Sequence, residues 1–187
     1  MKFILTTMLA LMSVMANAQQ LEGMYNADKD FEEMANGYVN KVIEQKDIQL
    51  GMDIQVGLSL FFNGNNIDVI INISGEVESV RAKGAITFMG SYTREGNHIV
   101  CSFSKDRMST TISKLESDDP EIKEALETNE DFIYKVAEER MGELVAPHAD
   151  ELFKATEFFK EFDITSQTDT SINIQLTKGQ EINLNKP

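Results

Sequence analysis

Two histidines and one cysteine are the side chains best suited to act as base or nucleophile near neutral pH, and they stand apart in the sequence. His98 lies beside the turn residue Asn97, and His148 follows Pro147 at a helix start. No Gly-x-Ser-x-Gly run surrounds a serine, so no nucleophile elbow is written here. Cys101 shares a strand parity with Ile99 and Phe103. That is the place of a small buried core residue, whereas a reactive thiolate needs an electropositive setting.

Metal chemistry has equally little to build on. Cys-x-x-Cys, His-Glu-x-x-His and calcium-loop spacings are missing. Asp118, Asp119 and Glu121 gather at a helix start, where carboxylates cap N–H groups and suit the helix dipole. Glu138 and Glu139 read as solvated charge on a polar helix face. The methionines outside the leader are scattered, not clustered as copper would want. Asp53, Asp68 and Glu76 fall on strand faces opposite the apolar ones, which counts against a carboxylate pair across a cleft. No phosphate-cradling glycine loop occurs. The expectation is therefore no catalytic residue, no metal, no cofactor and no enzyme.

The N-terminus has the parts of an export signal. Lys2 gives the charge, Phe3 to Met15 form an apolar run, and Ala16-Asn17-Ala18 supplies an A-x-A site. Cleavage after Ala18 leaves Gln19 first, and the run is shorter than the roughly 20 residues that span a bilayer. A periplasmic or secreted product without a stable membrane anchor is expected. Without residues 1–18 the chain has 16 Lys and Arg against 31 Asp and Glu, a net charge of −15. Such a surface repels phosphate backbones and anionic lipid, so no nucleic-acid partner is expected. A single cysteine allows no internal disulfide, so packing alone must hold the one domain, residues 19–187.

Residues 19–30 are polar and read as a loose lead-in. Phe31, Met34, Ala35, Tyr38, Val39, Val42 and Ile43 then recur at helical spacing, predicting a helix over about 28–45 despite Gly37. Leu50 to Phe62 alternates with a period of two, and Asn63-Gly64-Asn65-Asn66 turns it into a second strand over Ile67 to Ile73. Strands follow at Val80 to Tyr92 and Ile99 to Phe103, and Lys105-Asp106-Arg107 reads as a turn into another around Met108 to Leu115. Glycines 75, 84 and 90 mark bulges or corners.

A helical insertion over about 119–161 comes next. Asp119-Pro120 opens it, Thr128-Asn129-Glu130-Asp131 resembles a capping box, and Pro147 separates two later helices. Phe153, Phe159 and Phe162 pack on the strands, with Phe158 beside them. Three short strands close the chain around Ile164, Ile174 and Ile182, with a turn at Lys178-Gly179.

Eight antiparallel strands with short turns predict a mostly β fold with helical segments, a meander closing as a barrel with helices capping one end. Two stretches carry a resemblance. Gly90-Ser91-Tyr92, a turn, then Gly96-Asn97-His98-Ile99 forms one; Phe162 to Leu184, with its T-D-T and K-G turns, forms the other. In these the chain resembles the lipocalin-like domains of exported bacterial proteins, although it has no tryptophan and so lacks their G-x-W strand signature. The resemblance implies a calyx and binding of a small apolar or amphipathic ligand. The inward residues expected to line it are Ile54, Val56, Leu58, Ile71, Ile86, Phe88, Tyr92, Phe103 and Ile174, with the Tyr92 hydroxyl as the orienting group. The other reading is a filled barrel that meets a protein partner through its surface.

Overall fold

The computed structural model describes residues 21–45, 54–77, 79–177 and 179–187. The predicted leader, the start of the first predicted strand at Leu50 to Asp53, and Lys178 lie outside them. Strand β1 (Gly23–Ala27) leads into helix α1 (Lys29–Gln45), then β2 (Gln55–Asn63), β3 (Asn66–Val77), β4 (Val80–Glu95) and β5 (His98–Ser117). Helices α2 (Pro120–Thr128), α3 (Glu130–Val145) and α4 (Ala149–Phe153), with short 3-10 turns after α3 and α4, lead to β6 (Glu161–Gln167), β7 (Ser171–Leu176) and β8 (Glu181–Asn185).

The strands pair antiparallel in chain order, and β8 returns to β1 through Asn26↔Asn185 and Ala27↔Leu184. This is an eight-strand meander in a ring. Period-two patterning decides which face turns inward: Leu58, Leu60 and Phe62 face Ile71, Val69 and Ile67 across the β2–β3 hairpin. Gly64 and Gly96 hold the tight turns at one end with φ of +58° and +64°, where a side chain would strain the backbone.

The inward side chains fill the ring. Leu60, Phe62, Ile67, Phe88, Ile99, Ile172, Ile174 and Leu184 are all 0% exposed and belong to one cluster drawing on every strand. Tyr25 on β1 stands edge-on to Phe62, which stands edge-on to Tyr92 on β4, with centroids 5.9 and 5.5 Å apart. The first contact joins paired strands, whereas the second reaches from β2 to β4, which are not neighbours.

Several sequence expectations need correction. The polar lead-in contains β1, because Tyr25 and Ala27 bury inward while Asn26 alternates with them. The predicted turn at Lys105-Asp106-Arg107 is part of a continuous β5. There Phe88 pairs Met108 and Gly90 pairs Phe103, so the extra β5 residues bulge out without reversing the chain. A second register shift falls at Lys83/Gly84, so Gly84 and Gly90 mark irregularities as expected. Gly75 does not, pairing in register with Ala82. Eight strands were expected and eight form among the described residues, with β1 replacing the strand gained by splitting β5.

The described helices sit at one end of the ring, where they finish edges the short strands leave bare. β5 pairs with β6 only over His98–Val100. Beyond that, the N–H of Ile112 donates to Glu138 Oε1 at 3.1 Å and that of Leu115 to the Tyr134 hydroxyl at 2.9 Å, both on α3. Glu138 is thus an edge cap, not the solvated charge its helical position suggested. On the opposite side, past the end of β1, Val56 N–H donates to Asn36 Oδ1 on α1 at 2.6 Å. Asp119 caps α2 through Glu121 and Ile122 N–H, as its place before Pro120 predicts. The expected capping box at α3 does not form: Asn129 gives no side-chain cap and turns its amide back to Ala125 O at 3.4 Å.

Candidate functional site

The helix-bearing end holds a cavity of about 480 Å³ between α1 and the ring wall of β1 to β5. Glu32 and Asn36 come from α1 because they lie four residues apart and share a face. Gly57 lets α1 come close, since a Cβ there would sit 3.3 Å from Glu32 Oε1. The remaining polar lining is Asn26, Gln55, Ser59, Asn72, Ser74, Lys83 and Ser113, with Met24, Val56, Leu58 and Ile73 as the apolar part.

At its base runs a hydrogen-bonded row across three strands. Asn72 Nδ2 donates to Ser59 Oγ at 2.7 Å, and the Ser59 hydroxyl donates to Asn26 Oδ1 at 2.8 Å. Register makes this possible: Asn26 pairs Ser59, and Asn72 pairs Gly57 two residues along the same face. Ser59 is only 3% exposed, so its hydroxyl is satisfied by these side chains and not by water.

The nine residues expected to line a pocket divide by depth. Val56 and Leu58 do line this cavity, and Ile54 stands half-buried just before β2. Ile71 and Phe103 are half-buried on the inward face, packed against the core cluster. Ile86, Phe88, Tyr92 and Ile174 lie in the filled interior. Phe88 there meets Phe153 of the insertion, ring centroids 6.1 Å apart, as the packing of that aromatic group on the strands anticipates. Burial pushes the Tyr92 phenol above its ordinary value, with Arg94 opposing.

Sequence reading missed Asn26, Asn36, Ser59 and Asn72. The available signal was polar residues on the solvent parity of strands that later proved neighbours, but β1 itself went unseen.

The histidines do not converge. His98 Nδ1 lies 2.9 Å from Asp163 Oδ1 on the exposed side of β5 and β6, and His148 is exposed at the helical insertion. Burial pushes the Cys101 thiol up to about 12, so it stays protonated in the core. Asp68 points outward and its carboxyl is raised by partial burial, offset by Arg107. Among the described residues no three His, Cys, Asp or Glu side chains gather closely enough to hold a metal ion. No described helix is long and apolar enough to cross a membrane.

A second cavity of about 430 Å³ lies on the other flank of α1, against β7 and β8, with Asp28, Asp30, Phe31 and Met34 among its lining. Compared with protein-family models, curated proteins and solved structures, the chain matches none.

Proposed function

We propose that this chain is an exported binding protein of lipocalin-like barrel type, cleaved after Ala18 and working in the periplasm or outside the cell. Its ligand is a small amphipathic molecule, held at the helix-bearing end and not along the axis. One observation carries this reading: a cavity of about 480 Å³ that mixes apolar and hydrogen-bonding lining, within the roughly 300–1,000 Å³ usual for small-molecule sites. The packed ring supports it as a rigid frame that holds α1 against the wall.

The test is a calorimetric titration of the mature chain with short-chain amphiphiles below their micelle concentration, beside a Ser74→Trp variant that fills the cavity. Binding that the variant loses while keeping its melting temperature is the expected result. Silence from every amphiphile, or equal binding by the variant, rejects the site. Export is tested by expression with the native leader in a bacterial host, where a product beginning at Gln19 is expected and one retaining Met1 rejects it.

A second reading, an envelope-associated protein-interaction module, is favoured by α3. Phe132 and Val136 stand one turn apart there, 69% and 38% exposed, and Leu144 is 75% exposed. Silent titrations together with loss of self- or partner association on Phe132→Ser would favour it.

A further inference from the structure

The direction of the Asn72–Ser59–Asn26 row says what kind of polar group the cavity recognises. Resting on the site proposed above, we infer that the polar end of its ligand is a neutral polyhydroxylated group, a glycoside-type headgroup, and not a carboxylate, phosphate or ammonium.

The row is polarised. Asn72 spends its amide N–H on Ser59, and Ser59 spends its hydroxyl proton on Asn26 Oδ1. Asn72 therefore keeps its acceptor oxygen and a second N–H, and Asn26 keeps its donor amide. Asn36 is fixed the same way, because its Oδ1 accepts Val56 N–H and leaves its NH₂ as donor. The amide orientations are set by main-chain and buried partners, so a ligand meets them ready-made.

Charge gives the same answer. Lys83 and Glu32 line the one cavity and contribute opposite signs, leaving no net preference for an anion or a cation. A sugar hydroxyl donates and accepts at once, which suits a wall where donors and acceptors are interleaved. Carboxylate and phosphate oxygens only accept, so they could use the Asn26 and Asn36 amides but would leave Asn72 Oδ1 unserved and lie against the Glu32 carboxylate. A quaternary ammonium could satisfy none of the three asparagines, and a wholly apolar ligand would strip them of water with nothing in return. The apolar part of the lining, Met24, Val56 and Ile73, then takes a short alkyl or other apolar tail.

The experiment titrates the mature full chain with four probes that share one tail: octyl glucoside, octanoate, octyl phosphate and octyl trimethylammonium. Octyl glucoside is expected to bind about tenfold or more tightly than the others, the equivalent of one or two extra hydrogen bonds. Asn72 is solvent-exposed, so Asn72→Ala is expected to fold. It should weaken the glucoside about tenfold without weakening octanoate. Preference for a charged probe, or glucoside binding indifferent to Asn72→Ala, overturns the headgroup inference while the amphiphile site stands. If none of the four binds, the site reading itself fails and this inference with it.

Discussion

The Tyr134 hydroxyl accepts the main-chain N–H of Leu115 at 2.9 Å, so a helix side chain occupies a ladder position that a strand would otherwise fill. Glu138 does the same for Ile112 one helical turn on, and Asn36 for Val56 across the ring. The exposed edges of a broken ring are thus closed by side chains projected from helices.

Tyr134→Phe keeps the ring and removes only the acceptor. Its expected cost is about 1 kcal/mol, the lower end for a stranded N–H because the position is only partly buried. Urea unfolding measures it, and unchanged stability would mean that water replaces the hydroxyl without loss.

Glycine substitutions should change sign with position. At Gly90 a Cβ would come 2.6 Å from Phe103 Cδ1 and 2.7 Å from Ser102 O, and at Gly84 2.6 Å from Thr111 O. Gly84→Ala and Gly90→Ala are expected to destabilise by about 1–3 kcal/mol. Gly37 in α1 has nothing within 4 Å, so Gly37→Ala should stabilise by about 0.5–1 kcal/mol. Denaturant midpoints compare all three, and destabilisation by Gly37→Ala would contradict the open space seen there.

Cys101 links stability to alkaline pH. Its folded thiol titrates at about 12 against 9.0 when free. The folded value is the higher one, so its contribution is whole below pH 9 and is lost as pH rises toward 12. Above pH 9 wild type should lose up to about 1.4 kcal/mol per pH unit more than Cys101→Ala. Parallel slopes for the two proteins between pH 9 and 10.5 would refute the assignment.

Two neighbouring helix starts should respond differently to the same change. Asp119 Oδ1 accepts two N–H groups of α2, so Asp119→Ala is expected to cost about 1 kcal/mol. Asn129 makes no such bond at the start of α3, and Asn129→Ala should stay within about 0.5 kcal/mol. Equal losses in thermal melts would show that the caps are not distinguished as drawn.

What the sequence made legible follows from which forces act locally. The β2–β3 hairpin could be read because seven alternating apolar positions precede Asn63-Gly64, and Asp119-Pro120 because a cap and an N1 proline act within one turn. β1 could not, because five residues with two inward side chains carry no period; only pairing with β2 and β8 makes them a strand. Lys105 to Arg107 looked like a turn because three charges usually leave a sheet, yet β4 continues past them and holds β5 in place. The inward residues were identified by parity, but parity does not say whether they meet in the middle. Phe62 and Tyr92 do, and that contact moves the candidate site to the rim. Asn36 and Glu138 were beyond reach for a related reason, since each serves a strand far along the chain.

The two short joins of the ring have a mechanical meaning. β5 is tied to β6 by three residue pairs, and β1 to β8 by two. Between them β1 to β5 form one long curved shell and β6 to β8 a small one, like the halves of a bracelet with two clasps. Undoing either clasp breaks few main-chain bonds, whereas parting β3 from β4 breaks a ladder running from Asn66 to Val77. Breathing of the molecule should therefore start at the clasps, and water should reach the packed interior sideways, through a seam, before it enters from either end.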